Sequence, residues 1–141
     1  MLVTWNFRDS YYPPEVADDP IALREFLAEA PPGRAESLLF LSVGGADPAI
    51  QRVLTEFVTD KTAHDRQGFT YLESLVEEYG DARDQWRDDA HVATLGFLES
   101  IALALEYGFR PRREHKNAFD LARIYGLHDV LELLEPYAAE P

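Results

Sequence analysis

The side chains that could bind a metal or transfer protons are four histidines and 26 acidic residues. His64, His91, His115 and His128 are scattered, and none belongs to a spacing such as H-E-x-x-H that places two imidazoles on one helix face. Cysteine is absent, which excludes a thiolate metal site and a cysteine nucleophile. Neither a glycine-rich phosphate loop nor a G-x-S-x-G motif occurs. The sequence therefore predicts no catalytic residue, no cofactor and no metal, and a protein that is not an enzyme.

A stretch of acidic and aromatic residues, here called the acidic ridge, is instead a candidate for binding. It comprises Glu77, Glu78, Tyr79, Asp81, Asp84, Trp86, Asp88 and Asp89. Carboxylates speed the encounter with a cationic partner, and tryptophan is over-represented among binding hot spots. The alternative is that Trp86 packs inward while its acidic neighbours are only solvated.

Composition and charge restrict the partners and the compartment. The chain has 141 residues, 46% of them hydrophobic, which suits a single domain with one core. Its formal net charge of -13 opposes binding to nucleic acid or to anionic membranes, and it favours a protein partner with a basic surface. Acidity that serves only solubility is the alternative. The N-terminal residues lack the pattern of a signal peptide, so we expect a soluble, cytoplasmic protein.

Helix boundaries are marked by residues that cap or stop helices. Asp19 followed by Pro20 predicts a helix start, because Asp caps and Pro suits the first helical position. Gly126 predicts a helix end, since glycine adopts the left-handed conformation that closes a helix. Gly80 is predicted to end another helix, and a long helix is predicted from about residue 90 to residue 107. The pattern indicates an all-α fold.

Residues 117–122, NAFDLA, followed by Gly126 and by residues 129–134, DVLELL, resemble an ankyrin repeat. The family pattern is T-P-L-H-L-A, then glycine, then V-V-x-L-L. Asn117 and Ala118 stand where the family has Thr-Pro. Residues 65–72, DRQGFTYL, are similar to the family turn D-x-x-G-x-T-P-L, in which the aspartate can bond the turn amides.

The resemblance implies a short ankyrin-like helical-repeat solenoid with several degenerate units. Its boundaries are an aromatic arm or cap at 1–18, a half repeat at 19–33, a repeat at 34–62, an enlarged repeat at 63–108 with an insertion at 81–89, and a C-terminal repeat at 109–137. Proteins of this kind commonly meet partners at turn tips and first helices. That implies contacts at Asp65, Arg66, Phe69, Tyr71 and Arg112, although the basic loop containing Arg112 could instead pair with the acidic ridge.

Taken together, the residues and the resemblance favour a protein that binds another protein. The most concrete hypothesis is a small acidic immunity or antitoxin protein that covers the basic surface of a toxin. An adaptor or regulatory subunit of a cellular complex is the alternative, and a small enzyme is a remote one. Salt should weaken the first type of binding markedly and the second hardly at all.

Overall fold

The computed structural model describes residues 19–41, 48–85, 96–113 and 117–138. These residues form seven α-helices, so the predicted all-helical fold is confirmed for the part of the chain described. The helices are α1 Pro20–Ala28, α2 Arg34–Leu41, α3 Pro48–Glu56, α4 Tyr71–Gln85, α5 Phe97–Glu106, α6 Ala118–Tyr125 and α7 His128–Leu134. A 3-10 turn, Glu135–Tyr137, follows α7, and an isolated antiparallel bridge joins His64 to Thr70.

The chain divides into two compact units, residues 1–71 and 72–141. In the first unit α1 and α2 both pack against α3. Their buried sides supply an apolar core that includes Leu23, Leu27, Leu38, Leu39, Ile50, Val53 and Leu54. Spacings of three and four residues, such as Leu23 to Leu27 on α1 and Ala35 to Leu38 and Leu39 on α2, place these side chains on one face.

The start of α1 follows from two adjacent residues, as predicted. The Asp19 carboxylate Oδ1 accepts hydrogen bonds from the backbone N–H groups of Ile21 at 3.0 Å and Ala22 at 3.2 Å. Pro20 occupies the first turn, where its missing N–H costs no intrahelical bond. The local sequence therefore fixes this helix end without help from tertiary contacts.

In the second unit α7 packs against both α5 and α6. The prediction for Gly126 is confirmed, because it caps α6 in the left-handed conformation with φ of 67°. At the other end of α6, the Asn117 side chain accepts a hydrogen bond from the Asp120 N–H at 3.0 Å. Asparagine thus performs the capping role at the position where the ankyrin pattern has threonine.

The prediction that Gly80 ends a helix is wrong. Helix α4 continues through Gly80 to Gln85, so the first residues of the predicted insertion are a helical extension. The glycine is accounted for by a close approach, since a Cβ atom placed on Gly80 would fall within the ring of Tyr125. A residue without a side chain is needed there to admit the ring, and α4 tolerates the entropic cost.

The predicted helix from residue 90 to residue 107 is also corrected at its start. Gly96 has a left-handed φ of 71° and α5 begins after it at Phe97, so the predicted helix is not continuous through residue 96, and its residues 90–95 lie outside the described part of the chain. The predicted arm or cap at 1–18 lies outside the described residues. No helix among the described residues has the length and apolar character required to cross a membrane.

Candidate functional site

The candidate site is the solvent-facing side of α4, which carries the described part of the acidic ridge. Glu77, Asp81 and Asp84 follow one another at spacings of four and three residues, so they lie along one side of the helix. Glu78 is adjacent to them. Glu78, Asp81 and Asp84 are exposed and Glu77 is half-buried. Four carboxylates are therefore concentrated within about two turns of one helix.

Two of these carboxylates bind the hydroxyl of Tyr125 on α6. The hydroxyl lies 2.9 Å from Glu77 Oε1 and 3.0 Å from Asp81 Oδ1, so its single proton is shared between the two acceptors. Burial, and then the hydrogen bonds to these carboxylates, raise the pKa of Tyr125 well above its usual value. The tyrosine therefore remains a neutral donor that offsets the repulsion between Glu77 and Asp81.

Tyr79 makes a second connection from α4, to the start of α7. Its hydroxyl donates to Asp129 Oδ2 at 2.6 Å, and its ring stacks on Phe97 with centroids 6.0 Å apart. Burial, followed by the hydrogen bond to Asp129, raises the pKa of Tyr79 to about 12. The guanidinium of Arg83 lies 5.8 Å from the centre of the same ring. Tyr79 is thus held on several sides, and only part of its surface reaches solvent.

Glu78 and Asp84 differ from their neighbours, because neither makes a hydrogen bond or ion pair with the residues the structure describes. Partial burial, and then the nearby charges of Asp81 and Glu77, raise the pKa of Glu78 above its usual value. The ionised form of Glu78 is therefore disfavoured where it stands. A cation placed beside it would relieve that cost.

Arg112 is predicted from the sequence to contact a partner. Its guanidinium is instead bound within the second unit. Its Nε and Nη2 each lie 2.6 Å from an oxygen of Glu73, which makes the pair bidentate. The Glu73 side chain is only 1% exposed and that of Arg112 is 29% exposed. The alternative predicted from the sequence paired the basic loop with the acidic ridge, whereas Arg112 pairs with Glu73, a carboxylate of α4 that precedes the ridge.

The turn before α4 lies in the first unit and has the geometry that its sequence predicts. Asp65 Oδ1 accepts from the N–H groups of Gln67 at 2.8 Å and Phe69 at 3.0 Å, and Gly68 has a φ of 85°. Arg66 is exposed, whereas Asp65 and Phe69 are half-buried. Of these three predicted contact residues, Arg66 is therefore the most accessible to a partner.

Tyr71 does not belong to any exposed patch. Its side chain is 2% exposed, and burial raises its pKa well above the usual value, with an opposing contribution from Gln51. A partner could not reach this ring without displacing the surrounding core. The other predicted contact residues, Trp86, Asp88 and Asp89, lie outside the described part of the chain.

A buried acid in the first unit was missed by sequence reasoning. The Glu36 side chain on α2 is 3% exposed, and the Thr59 hydroxyl donates to its Oε2 at 3.4 Å. Its other oxygen, Oε1, is buried and has no hydrogen-bond partner among the described residues. Burial, in the first place, raises the pKa of Glu36. The sequence signal was present but weak: a glutamate preceding the apolar run of α2.

Residues suited to hold a metal ion do not converge in the described residues, where no group of three or more His, Asp or Glu has the necessary proximity. The groups clustered on α4 and beside it on α6 are carboxylates and phenols, with raised pKa values at Glu78, Tyr79 and Tyr125. Sequence reasoning identified the carboxylates but not Tyr125 or Asp129. The spacing of four residues between Glu77 and Asp81 was the only available signal that one group from elsewhere could bridge them.

Comparison of the chain with protein-family models gives no match, and no similar chain is found among curated proteins or among solved structures. The function must therefore be inferred from the residues and contacts of this chain.

Proposed function

We propose that this chain is an ankyrin-like helical-repeat protein that binds a basic protein partner through the acidic ridge. In the most concrete form of the proposal it is an immunity or antitoxin protein, and it acts by covering a basic surface that its partner needs for activity. The observation that carries the proposal is the pair Glu78 and Asp84, which are exposed and make no hydrogen bond or ion pair with the described residues.

Helix pairing supports the repeat part of the proposal. Helices α2 and α3 fall within the proposed repeat 34–62 and pack together, as do α6 and α7 within 109–137. Contacts between successive second helices occur as well, in the pairs α1 with α3 and α5 with α7. Repeats that stack in this way bury apolar faces which a single helix pair would leave exposed.

Electrostatics support the binding part. The chain carries a formal net charge of -13, and partial burial, followed by the neighbouring charges of Asp81 and Glu77, raises the pKa of Glu78. A basic partner would be attracted over a distance of about one Debye length, roughly 8 Å at physiological salt. It would then replace the repulsion around Glu78 with attraction, which increases the association rate and favours the bound state.

Pre-organisation is the second contribution of the structure to such a site. Tyr125 and Tyr79 connect α4 to α6 and α7 by hydrogen bonds, so the helix that carries the acidic ridge is fixed within the second unit. A rigid binding helix loses little conformational entropy when its partner docks. The proposed surface comprises Glu78, Asp81 and Asp84 at its described centre and excludes the buried Tyr71.

Affinity capture from the native host with charge-reversed variants tests the proposal. Glu78→Lys combined with Asp84→Lys inverts the sign of the two exposed carboxylates on α4 that have no hydrogen bond or ion pair among the described residues. Glu25→Lys combined with Glu29→Lys makes the same change of net charge at exposed positions of the first unit and serves as the matched control. We expect wild type and control to retain a basic protein that mass spectrometry identifies, and the α4 variant to bind it about tenfold more weakly or worse.

The purified partner then distinguishes the two classes of binding protein. An immunity or antitoxin role requires that the partner lose its own activity in the complex and that affinity fall steeply as salt rises. A neutral partner that is retained equally by all three proteins, with little response to salt, would contradict the proposal and favour an adaptor.

A further inference from the structure

The second unit contains a cleft of about 300 Å³ whose wall is unusually basic for so acidic a chain. Its lining, here called the arginine cleft, is Pro111, Arg112, Arg113, Asn117, Phe119, Arg123, Tyr137 and Ala138. The chain has only 13 lysines and arginines, and three of them line this one cleft. Binding pockets for small molecules begin at about this size.

Two of the arginines that line the cleft are held in place by contacts with neighbouring side chains. Arg112 is fixed by its bidentate bonds to the buried carboxylate of Glu73. The guanidinium of Arg123 lies 5.6 Å from the centre of the Phe119 ring, and both residues line the cleft. Aromatic faces attract and orient guanidinium groups without neutralising their charge. The Phe119 ring therefore positions the Arg123 guanidinium without neutralising it, whereas the charge of Arg112 is balanced by Glu73.

Arg110 fixes the ring of Tyr137, which also lines the cleft. Its guanidinium lies 4.3 Å from the ring centre, and its Nη1 donates to the backbone oxygens of Leu105 at 2.6 Å and Phe109 at 3.0 Å. The end of α5, the loop that follows it and the C-terminal turn are thereby connected through one side chain. The part of the cleft formed by Tyr137 is consequently fixed to the rest of the second unit.

The one ion pair of Arg123 among the described residues is weak enough for a bound anion to replace it. Its Nη1 lies 3.5 Å from Asp120 Oδ1, in a pair whose side chains are 64% and 32% exposed. Exposed pairs at a spacing of three residues contribute little, so a better-placed anion can replace Asp120. Arg113 is exposed as well. Asn117 adds the N-terminal end of α6, whose helix dipole also favours negative charge.

We propose that the arginine cleft binds a phosphate group, either as free phosphate or as a small organic phosphate monoester. Phosphate offers three terminal oxygens and two negative charges, which matches several forked guanidinium donors better than a carboxylate does. The net charge of the chain does not prevent this, because charges more than about 10 Å away are largely screened at 0.1 M salt. This site is separate from the acidic ridge and does not depend on the proposed partner.

Calorimetric titration of the full chain tests the cleft with inorganic phosphate, phenyl phosphate and benzoate as probes at constant ionic strength. We expect saturable binding of the phosphate probes and markedly weaker binding of benzoate. Arg113→Gln and Arg123→Gln should each weaken phosphate binding by about tenfold, the effect of removing one hydrogen-bonded charge. Arg52→Gln, an exposed arginine on α3, is the control and should bind phosphate as wild type does.

The two possible ligands, free phosphate and an organic monoester, predict different orders of affinity for the two phosphate probes. Tighter binding of phenyl phosphate indicates an organic monoester, and equal or tighter binding of inorganic phosphate indicates the free anion. The guanidinium NMR signals of the wild-type chain provide a measurement that needs no variant: those of Arg113 and Arg123 should shift with phosphate, and that of Arg52 should not. Absence of saturable binding, equal binding of benzoate, or full affinity in the Arg113→Gln, Arg123→Gln double variant would overturn the proposal.

Discussion

The ring of Tyr125 lies so close to the backbone of Gly80 that no side chain can be accommodated at that position. This contact brings α6 against α4 and places the Tyr125 hydroxyl within hydrogen-bonding distance of Glu77 and Asp81. A glycine in the middle of a helix normally costs stability relative to alanine. Here it allows the phenol to reach the carboxylates of the acidic ridge.

Gly80→Ala should therefore destabilise the protein, although helix propensity alone predicts stabilisation by about 1 kcal/mol. The added methyl group overlaps the Tyr125 ring, and overpacking of this kind costs about 1–3 kcal/mol, added to the loss of the hydrogen bonds. We expect a net decrease of about 2 kcal/mol in the free energy of unfolding, measured by urea denaturation.

The same substitution in a Tyr125→Ala background provides the control. With the ring removed, Gly80→Ala should stabilise α4 by up to about 1 kcal/mol, so its effect changes sign between the two backgrounds. Equal effects in both backgrounds would show that the two residues do not interact.

Tyr125→Phe should lower the free energy of unfolding by about 1 kcal/mol while it preserves the ring contact with Gly80. The reason is that Glu77 and Asp81 lose their shared donor and are left facing each other. Tyr107→Phe is the matched control, since no hydrogen bond of the half-buried Tyr107 side chain is found among the described residues. Comparable losses in the two variants would contradict a special role for the Tyr125 hydroxyl.

Arg112→Gln should be far more damaging than loss of an exposed ion pair. It leaves the Glu73 carboxylate buried without its cation, which costs about 3 kcal/mol. The double variant Glu73→Gln, Arg112→Gln should recover most of that loss, because no buried charge remains. Arg24→Gln breaks the exposed pair of Arg24 with Glu56 and should leave the urea midpoint nearly unchanged.

Glu36→Gln should stabilise the protein at pH 7 by about 1 kcal/mol, because it removes a buried charge with one unsatisfied oxygen. The pKa of Glu36 is raised in the folded state, so the wild-type residue favours folding only when protonated. The advantage of the variant should shrink as pH falls through that folded pKa and vanish below the unfolded value. Glu25→Gln, at an exposed position, is the control variant.

Residues whose structure depends on near neighbours could be predicted from the sequence. The Asp19 cap, the end of α6 at Gly126 and the Asp65 turn each involve side chains and amides within a few positions. The groups that determine the conformation of such short segments are close together in the sequence, which is why these predictions are confirmed.

Features that depend on distant residues could not be predicted in the same way. The local sequence predicts a helix end at Gly80. The glycine is needed instead for contact with the ring of Tyr125, which belongs to another helix and cannot be recognised from neighbouring residues. The acidic ridge is predicted from its acidic and aromatic residues, but the sharing of Glu77 and Asp81 by one phenol requires α6 to be in place. The sequence predicted that Arg112 contacts either a partner or the acidic ridge, and its pairing with Glu73 depends on the packing of the second unit.

The contact between position 80 and position 125 also restricts how this chain can diverge. A mutation that gives residue 80 a side chain is tolerated only where residue 125 has already become smaller, and the loss of that ring removes the donor for two carboxylates. Among descendants of a common ancestor the two positions should therefore change together. Their joint substitution would mark lineages in which the two carboxylates on α4 no longer have a neutral hydrogen-bond donor.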